Sequence, residues 1–168
     1  MTSDVSSPRS DVHSTEVRSY NMSRIRGRDT RPEMAIRRGL HKRGFRFRLQ
    51  VRDLPGRPDL VFPKWQTALL VHGCFWHGHS CHLFRIPATR PEFWAAKIEK
   101  NRVRDSRALA ELANSGLRTL ILWECAMRGR NRKPEEEVLD RCEIFLKGSA
   151  AALEIEGHRP SIGITDGQ

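Results

Sequence analysis

Between Phe45 and Gln50 the chain alternates apolar and polar residues, FRFRLQ, so Phe45, Phe47 and Leu49 share one face and a strand is predicted. Two further apolar runs follow at once. DLVF (Asp59–Phe62) and TALLVH (Thr67–His72) flank a turn at Pro63-Lys64, which reads as a hairpin whose second strand is buried. LRTLILW (Leu117–Trp123) predicts another buried strand. Around these the signals are helical. TRPE at Thr30–Glu33 reads as a capping box with proline just inside the helix start, opening a helix that runs to about Arg43 and stops at Gly44. The same four letters at Thr89–Glu92 open a longer helix ending near Gly116. A last helix starts at Pro134 and buries Val138, Leu139, Cys142, Phe145 and Leu146. The order helix, three strands, helix, strand, helix predicts an α/β (α+β) fold: a mixed sheet flanked by helices. Residues 1–20 are serine-rich and without periodicity, a flexible leader; 148–168 read as a C-terminal tail.

Charge narrows the partners. The 168 residues carry 30 Lys and Arg against 20 Asp and Glu, a formal charge of +10, with a pI near 10.3 and a mean hydropathy of -0.58. Such a surplus favours polyanions through counterion release, nucleic acid foremost. The arm NMSRIRGRDT before the first helix is placed to track phosphates. The longest uncharged stretch, Trp65 to Phe84, contains four His, two Gly and a Ser and is no membrane span. Without an export signal the chain is expected in the cytoplasm. Its four cysteines (Cys74, Cys81, Cys125, Cys142) then read as metal ligands or buried thiols, not disulfides.

Candidate chemistry concentrates in HGCFWHGHSCHLF, residues 72–84. Cys74, His79 and Cys81 have the ligand types and spacing for zinc, with Cys125, His82, His77 and His72 as rivals for the fourth place. In LPGRPDLVF, a Pro-Gly-Arg-Pro turn delivers Asp59 to a strand start, where a carboxylate can hold Mg²⁺. Glu33 could face the same site besides capping its helix. His77 suits the role of general base, since imidazole titrates near neutrality, and Asp105 in NRVRDSR could orient its ring. Phe75-Trp76, with Phe93 and Trp94 in EFW, are suited to stack on bases or wedge into a duplex.

From about Asn21 to Arg130, roughly two thirds of the chain, the sequence resembles the very-short-patch (Vsr) DNA mismatch repair endonucleases. The resemblance rests on NMSRIRGRDTRPE, LPGRPDLVF, HGCFWHGHSCHLFRIPATRPEFWAAKI, NRVRD and WECAMRGR, in that order. It implies a restriction-endonuclease-like PD-(D/E)xK core, with residues 21–147 as the endonuclease domain, a catalytic Mg²⁺ and a structural Zn²⁺. By that resemblance Asp59 and the backbone carbonyl of Val71 hold magnesium, and His72 stands where the core's lysine would lie. His77 activates or positions the attacking water with Asp105 as its partner, and Glu33 is needed near the metal. Zinc falls to Cys74, His79, Cys81 and Cys125. The DNA wedge falls to Phe75, Trp76 and Trp94, with Met22 entering from the other groove.

The expected activity is a magnesium-dependent nick 5′ to the T of a T:G mismatch produced by deamination of 5-methylcytosine. The expected actor is a monomer working beside a cytosine-5 methyltransferase and mismatch-repair proteins. Two rivals remain at this stage: a non-catalytic zinc-stabilised DNA-binding module, and a PD-(D/E)xK restriction nuclease cutting matched DNA. Neither His82 nor Cys142 has a role assigned.

Overall fold

TALLVH is apolar on both faces, so as a strand it must be covered on both. The computed structural model describes residues 29–158, and in it Thr67–His72 (β3) is the central strand of a five-stranded mixed sheet of order β1-β2-β3-β4-β5. The predicted hairpin is present: β2 (Leu60–Phe62) runs antiparallel to β3 with Leu60 opposite Leu69. A 3₁₀ turn over Pro63–Trp65 closes it, with Gln66 in the left-handed region. β4 (Arg118–Trp123) lies parallel to β3, with His72 opposite Trp123. A parallel pair needs a crossover, and the long helix α2 (Pro91–Asn114) provides it.

Alternation along the strands assigns the two faces. Leu69, Leu120 and Leu122 pack with helix α1 (Arg31–Lys42) and helix α4 (Glu135–Lys147), where Ile36 and Leu40 meet Val138, Leu139, Cys142, Phe145 and Leu146. The five residues expected to form the buried face of α4 are all buried. Ala68, Leu70, Ile121 and Trp123 point the other way, towards α2. His72 shares their parity and comes to that face at the C-terminal end of β3.

Both expected helix stops occur where only glycine is unstrained. At Gly44 (φ 90°) and Gly116 (φ 78°) the chain turns left-handed. Amides of Gly44 and Phe45 reach back to His41 and Leu40, and those of Gly116 and Leu117 to Ala113 and Leu112, closing Schellman caps.

Three expectations need correction. The second TRPE is not a capping box: Arg90 takes the N-cap position with φ 55°, and no side chain caps the helix, which starts at Pro91. FRFRLQ pairs only over Arg48–Leu49 (β1), an edge strand. Phe45 is buried and Phe47 half-buried, but Leu49, on the edge strand, is 49 % exposed. The segment read as a tail contains a strand, β5 (Ala152–Ile155), paired in parallel with β4 through Leu122 opposite Ile155. Four residues are too few to show a period, and α4 makes the crossover that brings them back. Residues 1–28 and 159–168, which include the leader, the basic arm and Met22, lie outside the described residues. Among the described residues no helix is long and apolar enough to cross a membrane.

Candidate metal centre and active site

The chain leaves β3 at His72 and folds the next twelve residues into a tight loop. His79 N–H bonds to the Cys74 carbonyl and Cys81 N–H to that of His79, at 3.0 and 2.8 Å. Cys125 comes from the short helix α3 (Glu124–Met127) that begins where β4 ends. Ligand atoms of Cys74, His79, Cys81 and Cys125 all lie within 4.8 Å of one another. A tetrahedral ion with bonds of about 2.0–2.3 Å needs donors about 3.5–3.8 Å apart, so the set fits a soft divalent metal with small adjustment. Among the four rivals for the last place, the fold brings Cys125 to the cluster. The ring nitrogens of His82 are buried without a partner among the described residues.

The three thiols share their protons unevenly. A hydrogen bond from the Cys74 thiol, with the Gly157 amide and His79 assisting, holds the Cys125 thiol down at about 5. The same bond and burial push Cys74 up, and burial raises Cys81. Nδ1 of His79 faces the Cys125 sulfur at 3.6 Å. Its Nε2 meets Glu156 at 3.0 Å. Gly157 N–H donates to the Cys125 sulfur at 3.3 Å. Glu156 and Gly157, just past β5, escaped sequence reasoning because they carry no motif.

A second constellation shares the same loop. His77 Nδ1 bonds to Asp105 Oδ2 at 2.5 Å. The rings of His72 and His77 are stacked, 3.9 Å between centroids and 3° between planes. Trp123 meets His72 edge-on at 5.2 Å and His77 at 6.3 Å. Burial, and then the neighbouring His77, lower His72 to about 3, so it is neutral at any physiological pH.

Asp59 is tied to the strand end that carries His72. Val71, the residue before His72, donates its amide to Asp59 Oδ2 at 2.7 Å. Burial raises Asp59 to about 6; the Glu33 charge adds to the rise and Arg37 opposes it. Glu33 is 4 % exposed and pairs with Arg37 at 3.3 Å. A buried carboxylate such as Asp59, with the buried Glu33 charge acting on it, suits a hard cation.

Helix α2 explains how distant residues converge. Trp94, Ile98, Asn101, Asp105, Ala108 and Leu112 recur at alternating spacings of four and three and form its covered stripe. The lower stripe packs on the sheet; Asp105 reaches His77, and Asn101 donates to the Trp76 carbonyl at 2.9 Å. At the top, Trp94 meets Phe75 at 5.4 Å and Trp76 at 6.1 Å, and Phe75 meets Trp76 at 5.1 Å. These three rings remain half-buried, and Phe93 beside them is 45 % exposed.

Residues 10–83 match the family described as DNA mismatch endonuclease Vsr. The chain is 45 % identical over 146 residues to the DNA mismatch endonuclease Vsr of Escherichia coli (strain K12), spanning 87 % of this chain and 94 % of that protein. It is 50 % identical over 117 residues to the Type II nicking enzyme V.XorIIP of Xanthomonas oryzae pv. oryzae, covering 70 % and 86 % respectively. The Type II nicking enzyme V.NmeAIP of Neisseria meningitidis is 38 % identical over 120 residues, 71 % of this chain and 86 % of that protein.

Proposed function

The chain belongs to the Vsr family of DNA mismatch endonucleases and is a nuclease, and from that premise we propose that it nicks one strand of duplex DNA 5′ to the T of a T:G mismatch left by 5-methylcytosine deamination. The observation that carries the reading is the His77–Asp105 pair stacked on His72, the residue after Val71 whose amide binds the Asp59 carboxylate, with Phe75, Trp76 and Trp94 clustered on the same loop and helix. We read the core as a PD-(D/E)xK variant, in which Pro58-Asp59 opens β2 and His72 ends β3 at the position usual for lysine.

Asp59, with the Val71 carbonyl and Glu33 nearby, would hold Mg²⁺, and the four-ligand set Cys74, His79, Cys81 and Cys125 would hold a structural Zn²⁺. Bound magnesium supplies Lewis acidity and neutralises charge gathering on the phosphate. Because His77 Nδ1 faces Asp105, its Nε2 is the free lone pair that takes the proton of the attacking water. Asp105 then stabilises the imidazolium, and the neutral His72 stacked behind it adds no repulsion. In-line attack leaves a 5′-phosphate. Phe75, Trp76 and Trp94 unstack the mismatched step, at a cost of about a few kcal/mol that is smaller for a wobble pair than for a matched one. Met22 of the N-terminal arm would enter from the opposite groove. The enzyme would act as a cytoplasmic monomer, downstream of a cytosine-5 methyltransferase and alongside mismatch-repair proteins.

The test is a nicking assay with Mg²⁺ on duplexes carrying a single T:G pair or its matched counterpart. One nick in the T strand of the mismatch alone is expected. Cutting of both strands of matched DNA would instead assign the restriction-nuclease reading.

A further inference from the structure

We propose that Glu154 and Glu156, on and just past strand β5, are positioning residues that hold the zinc ligand His79 and the catalytic histidine pair in register with one another. Residues two apart on an extended segment point to the same side. Ile155 between them is buried in the core on the α1/α4 face, so both glutamates face the opposite side. There Glu156 Oε2 meets His79 Nε2 at 3.0 Å, and Glu154 Oε2 accepts from Trp123 Nε1 at 2.8 Å. The two rings so held are stacked on each other, 4.1 Å apart and 14° from parallel. Trp123 is also the edge-on wall of His72 and His77. One short strand therefore fixes both halves of a ring stack that touches the zinc set on one side and the general base on the other.

The chemistry gives each glutamate a distinct task. His79 presents Nδ1 to the metal cluster, so Nε2 must carry the proton, and a carboxylate accepting from it fixes that tautomer and raises the basicity of the ligating nitrogen. Glu154 fixes the indole plane against which the His72–His77 stack leans. Gly157 reinforces the arrangement. A Cβ there would lie 2.5 Å from the Cys125 carbonyl oxygen and 2.6 Å from that of Asn131. Only glycine lets this backbone pass close enough to donate to the Cys125 sulfur.

The inference rests on the zinc and active-site assignments above, and the experiment separates them. Zinc affinity of the full-length protein is measured by competition with a chromophoric chelator, alongside steady-state nicking. Glu156→Ala should weaken zinc about 10–100-fold, the usual range for loss of such an outer partner, with Glu156→Gln falling between it and wild type. Glu154→Gln should keep wild-type zinc affinity and KM but lower kcat, because the fault lies in the orientation of His77 and not in DNA binding. An unchanged zinc affinity in Glu156→Ala accompanied only by a lower Tm, or an unchanged kcat in Glu154→Gln, would overturn the proposal. A wild-type protein that binds no zinc would overturn the metal assignment and this inference together.

Discussion

The imidazoles of His72 and His77 lie face to face, 3.9 Å apart and within 3° of parallel. Two rings at that distance do not both carry charge. Burial keeps His72 neutral, with its value lowered from 6.5 to about 3, while His77 faces the Asp105 carboxylate.

This asymmetry has a pH signature. Between pH 6.5 and about 3 the unfolded chain protonates His72 while the folded chain does not. Stability from this residue is fully present above 6.5 and is lost as the pH falls through that window, at a slope approaching about 1.4 kcal/mol per pH unit. His72→Gln should show a shallower acid slope in urea unfolding measured at pH 4, 5 and 7. Equal slopes would contradict a buried neutral His72.

Asp59 works in the opposite sense. Its value is raised from 3.8 to about 6, so between those limits the folded chain keeps a proton that the unfolded chain has lost. Stability declines as pH rises across that window, by up to about 3 kcal/mol in all. Asp59→Asn keeps an acceptor for the Val71 amide and removes the charge. In magnesium-free buffer at pH 7.5 it should therefore be more stable than wild type, by about 1–3 kcal/mol. The same variant should lose nicking; activity equal to wild type would end the magnesium assignment.

Altering His77 or Asp105 should separate chemistry from binding. His77→Ala and Asp105→Asn are each expected to lower kcat by about 10²–10⁴-fold. Binding of a T:G duplex, followed by gel shift without magnesium, should stay near wild type. A loss of binding as large as the loss of rate would mean that the pair is structural.

The four-ligand cluster should contain one zinc per chain by metal analysis. Cys81→Ser or Cys125→Ser should abolish it and lower Tm by more than about 10 °C, since metal binding contributes directly to folding in such sites. Prolonged chelation of the wild type should do the same. A metal-free protein with an unchanged Tm would refute the assignment.

Truncating the aromatic wedge should tell on discrimination first. Trp76→Ala is expected to weaken preference for T:G over matched duplex by the equivalent of about 1–3 kcal/mol, a typical stacking contribution. Because Trp94 touches Phe75 as well as Trp76, the double variant Trp76→Ala/Trp94→Ala should lose less than the sum of its parts.

Much of the fold was legible because burial leaves a period in the sequence. The hairpin from Asp59 to His72, the buried strand at Leu117–Trp123 and all five core positions of α4 follow from apolar spacing alone. The failures have a common physical origin. Ala152–Ile155 is short, half exposed and stabilised by its pairing with β4, a contact between residues some thirty positions apart. The second TRPE has the letters of a cap but not its conformation, because Arg90 turns left-handed where a cap residue would be extended.

The sequence by itself determined the chemical inventory: which side chains can ligate, which can move a proton, and which can stack. Their density in residues 72–84 and the separate placement of Asp59, Asp105 and Cys125 were readable without coordinates. Only the tertiary structure decided how that inventory divides. Cys125 reaches the cluster because β4 lies parallel to β3 and ends level with it. Asp105 reaches His77 because the covered stripe of α2 runs over that same end of the sheet. Glu154 and Glu156 appear only when β5 closes the sheet edge. Local spacing encodes what each residue can do along its own element; which elements meet is set by burial of the sheet's two faces, and that is a property of the whole chain.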